Sequence, residues 1–282
     1  MTDITRRNVL KTGAIAGVGI ITALNLCKTR EAKASAAEHP YGYPVEGLDV
    51  AVTRQLAYDG YYGITLADGV KHKHCAFATF HALISQLAEK LGAPYTEIPT
   101  QMMEWSSGGV AGYASLCGAI NGVCSAIGLI CSNSNAGAII SDLLNWVNVS
   151  SLPQPLSETG LVVSHGILGE LPQSVAGSEL CHVSVTKWCL ASGFASGSPE
   201  RSERCARLAG DIAARAVEML NGSVTLTGIV PVDNTVCGQC HYSGTDFNGG
   251  QFTRGLTDCT SCHVDLTKVS EHGHHSSLIK AK

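Results

Sequence analysis

Two copies of Cys-x-x-Cys-His constrain this chain more than anything else in it. Cys237-Gly-Gln-Cys240-His241 and Cys259-Thr-Ser-Cys262-His263 stand 22 residues apart in the last fifth of a 282-residue sequence. The pattern is the attachment signature of c-type haem: the two thiols form thioethers to the porphyrin vinyl groups, and the adjacent His reaches the iron. Cys-x2-Cys-x18-Cys-x2-Cys also fits a zinc ribbon. Zinc needs only four of the six residues and leaves a His after each pair unexplained. Haem is therefore the leading reading, and a structural zinc or disulfide protein without redox chemistry a competing one.

The segment that carries the motifs, 231–282, has only Tyr242, Phe247 and Phe252 as aromatics. A stretch of this size cannot bury a core of its own. Two haems would supply apolar mass, but their outer faces must be covered by the rest of the chain or by a second subunit. The haems are therefore expected near an interface. His241 and His263 are the proximal ligands, and Cys237, Cys240, Cys259 and Cys262 the anchors. Each iron needs a sixth ligand, and no Met follows Met219. The candidates are His272, His274 and His275 in the tail and His72 and His74 in Lys-His-Lys-His-Cys. Two His ligands make a low-potential haem closed to substrate, whereas an iron lacking its sixth ligand is open to catalysis.

The N-terminus reads as an address. Thr5-Arg6-Arg7-Asn8-Val9-Leu10-Lys11 is a twin-arginine motif, 12–26 a glycine-broken apolar run, and Ala32-Lys33-Ala34 a small-x-small cleavage site. Residues 1–34 are expected to leave on export to the periplasm, with no stable membrane span. Their loss takes six of the 19 Lys/Arg and two of the 23 Asp/Glu, leaving 13 and 21 and a formal charge of −8. That balance excludes a nucleic-acid partner and suits a basic redox protein. Haem c is attached outside the cytoplasm. A route that carries folded proteins therefore suggests a body that folds earlier, around a further cofactor.

The remaining body, 35–230, is expected to be mainly α, with helices packed through small side chains. Helices are expected over 48–61, 71–91, 110–131 and 136–147, and from Pro199 to a stop at Gly222, with Ser198 as cap. Asp68 is a possible cap for the second helix, and 161–164 a short strand. Met102, Met103 and Trp105 are read as core residues. Of the 12 cysteines, seven lie outside the leader and the haem motifs: Cys75, Cys117, Cys124, Cys131, Cys181, Cys189 and Cys205. Their number suggests a metal site or several disulfides. Cys117, Cys124 and Cys131 share one helix face, but each step of seven residues advances about 10 Å. At most one of them is expected to be a ligand.

With these residues in view, the chain resembles the split-Soret cytochromes c, and its body resembles the wider family named for the cysteine pattern C, GCAxxG, C, C. The pattern maps onto Cys75, then Cys117 in Leu116-Cys117-Gly118-Ala119-Ile120-Asn121-Gly122, then Cys189 and Cys205, with Cys181 as a fifth candidate. The middle motif departs from it. Leu116 stands where Gly is expected, Gly118 where Ala is expected, and the closing Gly falls one place late. The resemblance implies a homodimer with two bis-His haem c groups per chain. The haems would lie parallel and close, each taking one axial His from the opposite chain. It also implies a non-haem iron–sulfur centre in the body, of which a 2Fe–2S form is one version.

The function expected from the sequence is electron transfer by an exported dihaem cytochrome with a further iron–sulfur centre. The alternative is an oxidoreductase in which the cysteine-bound metal reduces a small substrate with electrons fed by the haems. The sequence contains no Ser/His/Asp triad, phosphate loop or dinucleotide signature.

Overall fold

The structure, a computed structural model, describes residues 41–226, 241, 244–248 and 250–251. The expectations for the leader 1–34, for Cys237, Cys240, Cys259, Cys262, His263, His272, His274 and His275, and for a boundary near 231 lie outside the described residues.

The described body is mainly helical. Helix α1, Val50–Tyr62, starts where the Asp49 carboxylate accepts from the Val52 N–H at 2.9 Å. A two-residue hairpin of β1 (Ile64–Thr65) and β2 (Lys71–His72) follows, and α2 runs over Cys75–Leu91. Helix α3 is Gly118–Ile130 and α4 is Asn133–Val149. Strand β3 (Ser151–Leu152) pairs antiparallel with β4 (Ser174–Val175) across a loop holding the single-turn α5, Leu156–Thr159. Helix α6, Cys181–Ser192, leads into α7, Pro199–Asn221.

The boundaries of α7 follow from its sequence. The Ser198 hydroxyl accepts from the Arg201 N–H, Pro199 opens the first turn, and Gly222 turns left-handed at φ 73° to end it. Its apolar stripe of Leu208, Ala209, Ile212, Ala216 and Leu220 is buried in the main core. Helix α1 packs along α7 and α2, and α2 along α3. Small residues set the spacing: a Cβ on Gly60 would touch the backbone of Ala78, and one on Gly210 the carbonyl of Arg54.

The same helix buries charge. Glu203, Arg204, Arg207 and Asp211 are all at most 2% exposed, so each requires a partner. Arg207 Nε donates to Glu203 at 2.6 Å, and Arg54 pairs with Asp211.

Several expectations are corrected. The third helix begins at Gly118 rather than Val110, because Gly108, Gly109, Ala111, Gly112 and Ala114 all adopt positive φ, which no right-handed helix accommodates. Asp68 does not cap α2. His74 is the residue before that helix and makes no side-chain cap bond, while the Asp68 carboxylate accepts from the Val70 N–H at 2.8 Å. Residues 161–164 form no strand. Instead the Gln55 side chain satisfies both backbone groups of Val162, at 3.0 and 3.1 Å. Met103 is buried as expected, but Met102 and Trp105 are 56% and 50% exposed. In α2, Phe80, Leu83, Ile84 and Leu87 are buried, whereas Leu91 at its end is exposed.

Candidate metal centre

Four of the candidate cysteines meet. Cys75 is the first residue of α2, Cys117 the residue capping α3, Cys181 the first residue of α6, and Cys205 lies in the second turn of α7. They line one cavity of about 20 Å³ together with Gly118, Ser184, Arg204 and Leu208. A cavity of this size holds about one water molecule.

The local chain explains the meeting. A Cβ on Gly118 would collide with the Ser106 carbonyl and stand 2.8 Å from the Cys75 Cβ, so a glycine here lets the start of α3 close on the start of α2. One turn later Gly122 lies against the Ala76 carbonyl and the Thr79 hydroxyl. Thr79 Oγ1 then donates across the helix pair to the Ala119 carbonyl at 2.9 Å. The start of α6 is pinned to the segment before α3. Cys181 N–H donates to Ser115 O at 2.8 Å, His182 N–H to Ala114 O at 3.0 Å, and Cys117 N–H to Glu179 O at 3.0 Å. This non-local ladder brings Cys181 to Cys117.

All four thiols are free of disulfides. Burial, then the neighbouring sulfurs Cys205, Cys117 and Cys181, pushes the Cys75 thiol well up. Burial, then Cys205, raises Cys117. Burial, with Cys117 and Cys205, pushes Cys181 up to about 12. Thiols crowded in this way ionise only against a cation, and a bound metal deprotonates them outright. Backbone donors stand ready for that event: the Gly108 N–H faces Cys75, and the Ala119 and Ile120 N–H groups face Cys117.

Four soft sulfur donors fit iron, an iron–sulfur cluster or zinc. Among the described residues, no group of three or more His, Cys, Asp or Glu side chains is arranged to hold one ion as it stands. A second observation fits a negatively charged occupant. Arg204 lines the cavity and is 2% exposed. Its Nη2 donates to Ser184 Oγ at 2.7 Å and its Nη1 lies 3.9 Å from Cys205 Sγ, while its Nε is buried without a hydrogen-bond partner. Arg201 also reaches Cys205, and the Tyr61 ring stands near Cys205 and Cys75. Sequence reasoning passed over Arg204. The available signal was an Arg beside Cys205 and four residues before Leu208 on an otherwise apolar stripe.

The other candidates are placed differently. Cys189, two turns along α6 from Cys181, does not line the cavity. Cys124 packs against the core, and burial pushes its thiol up to about 12. His72 is buried with both ring nitrogens engaged: Nδ1 with Glu104 at 3.0 Å and Nε2 with Asp68 at 2.9 Å. Those two hydrogen bonds raise its pKa. His74 is half-buried, edge-on to Tyr61 at 6.5 Å between centroids, and burial lowers its pKa. His241 Nδ1 lies 3.2 Å from the Gly250 carbonyl oxygen.

Comparison with known proteins bears on this site. Residues 74–219 match the family model described as "Putative redox-active protein (C_GCAxxG_C_C)". The chain is 32% identical over 259 residues to split-Soret cytochrome c of Desulfovibrio desulfuricans (strain ATCC 27774), covering 89% of this chain and 88% of that protein. It is also similar to a solved structure described as "A novel iron centre in the split-Soret cytochrome c from Desulfovibrio desulfuricans ATCC 27774". The TM-score is 0.67 at 32% identity, over 79% of this chain and 91% of that one.

Proposed function

The chain belongs to the C_GCAxxG_C_C redox family and is a homologue of split-Soret cytochrome c. From that premise we propose that it is an exported, periplasmic dihaem c-type cytochrome that transfers electrons. Its haems are anchored by Cys237, Cys240, Cys259 and Cys262, with His241 and His263 as proximal ligands. Its body holds a non-haem iron centre through Cys75, Cys117, Cys181 and Cys205. The observation that carries this reading is the convergence of four thiols and one buried guanidinium on a single cavity.

The donor set of four soft sulfurs supports iron or iron–sulfur chemistry. When bound, such a centre supplies a one-electron couple. The protein's part is to exclude water, to aim the N–H groups of Gly108, Ala119 and Ile120 at the sulfurs, and to fix the positive charges of Arg204 and Arg201 beside Cys205. Each device stabilises charge on sulfur and tunes the couple.

For the distal haem ligands, His74 is the better candidate of the body pair, since His72 would have to surrender a carboxylate partner. His272, His274 and His275 remain candidates in the tail. The small apolar content of 231–282 supports a homodimer with the haems near the interface. No helix among the described residues is long and apolar enough to cross a membrane.

The test is substitution of the cavity cysteines. Cys75→Ser and Cys205→Ser are expected to abolish non-haem iron while a pyridine haemochrome assay still finds two haems per chain. Retention of all non-haem iron in both variants would refute the site.

A further inference from the structure

Three buried arginines pack along or into α7, and they are not equivalent. Arg207 is neutralised by Glu203, and Arg54 by Asp211. Arg204 has no carboxylate within ion-pair distance among the described residues. Its partners are the Ser184 hydroxyl and the edge of the Cys205 sulfur, and its Nε has no partner. A guanidinium stays charged at any pH a protein survives. A buried one without an anion is destabilising and persists where an anion arrives to meet it. Four neutral thiols do not provide that anion; four thiolates around a metal do.

We infer that Arg204 is the fixed counter-charge of the thiolate-bound centre, a positioning residue that retains the anionic centre in the body and holds its reduction potential up. The inference rests on the reading of Cys75, Cys117, Cys181 and Cys205 as metal ligands. One-electron reduction adds a unit of negative charge to the centre and breaks no bond to Arg204. A fixed positive charge in a water-poor cavity therefore favours the reduced form over the oxidised one. Ser184 holds the guanidinium plane by its far nitrogen and leaves Nη1 toward sulfur.

The experiment is an EPR-monitored potentiometric titration of the full, anaerobically purified chain and its Arg204→Gln and Arg204→Lys variants, with iron and haem counted in each. Arg204→Gln is expected to shift the equilibrium of the non-haem centre at least tenfold toward the oxidised form, about 59 mV downward for a one-electron couple. Arg204→Lys should shift it less, and the haem potentials serve as the internal control. A Gln variant with full iron and the wild-type potential overturns the inference. Loss of non-haem iron in the Gln variant with retention in the Lys variant supports the charge role. Loss in both, in chains that keep their haem, overturns it in favour of packing. Wild-type protein without non-haem iron removes the underlying reading as well.

Discussion

Gly118 lies against Cys75 so closely that a Cβ on the glycine would stand 2.8 Å from the cysteine Cβ. The close approach of α3 to α2 and the meeting of two of the four sulfurs are thus one fact. Gly118→Ala is expected to wedge the two helix starts apart, at the cost typical of overpacking, about 1–3 kcal/mol. Thermal unfolding reads the stability loss, and the iron-to-haem ratio should fall with it. A variant with both quantities unchanged would show that the approach is not needed.

Glu203 accepts from Arg207 at 2.6 Å, from Tyr62 at 2.5 Å and from Tyr58 at 3.2 Å. Glu203→Gln leaves Arg207 buried without its counter-charge, with neutral acceptors alone: the Gln amide oxygen and the Gly169 and Ile167 carbonyls. Breaking a buried pair from one side costs about 3–5 kcal/mol. Urea unfolding should show a loss of that order, and a loss under about 1 kcal/mol would mean that the carbonyls suffice.

Burial pushes the Asp211 carboxyl up to about 6, against the pull of Arg54, the Gln154 N–H, Arg207 and Arg204. In the unfolded chain an Asp titrates near ~3.9. Folding therefore takes up a proton between about pH 4 and 6, and stability falls as pH rises through that window. Asp211→Asn removes this contribution. The difference in unfolding free energy between wild type and variant should change by about 2–3 kcal/mol across the window. A difference independent of pH would contradict the assignment.

The two candidate histidines of the body are held differently. His72 is committed to Asp68 and Glu104 by hydrogen bonds to both ring nitrogens, whereas His74 stands edge-on to Tyr61. His74→Ala is expected to convert one of the two proposed haems to a high-spin form in the visible and EPR spectra, and His72→Ala to leave both low-spin. The reverse pattern would assign the ligand to His72.

What could be read from the sequence was what local chemistry decides. Ser198, Pro199 and Gly222 bound α7, because caps act within a few residues, whereas α2 starts at Cys75 and not at 71, since Lys71 and His72 pair with β1 as strand β2. The two Cys-x-x-Cys-His motifs are legible because they are contiguous, and all of their residues but His241 lie outside the described residues. What could not be read depends on distant backbone. Cys181 rather than Cys189 reaches the cavity because the start of α6 hydrogen-bonds to Ala114 and Ser115, a pairing that no period announces. Met102 and Trp105 look like core residues by type, yet both are exposed, since side-chain type does not say which face of a short segment meets the core. Nothing local marks Arg204 as buried, because arginine is mostly exposed in folded proteins.

The central claim is that this body is a second redox unit and not a scaffold for haem. Counting iron against haem in anaerobically purified wild-type protein, with an EPR spectrum of the reduced sample, tests it most directly. The account predicts iron in excess of the haem content and a non-haem signal that disappears in Cys205→Ser. Iron equal to haem, with no signal beyond that of the haems, would contradict it.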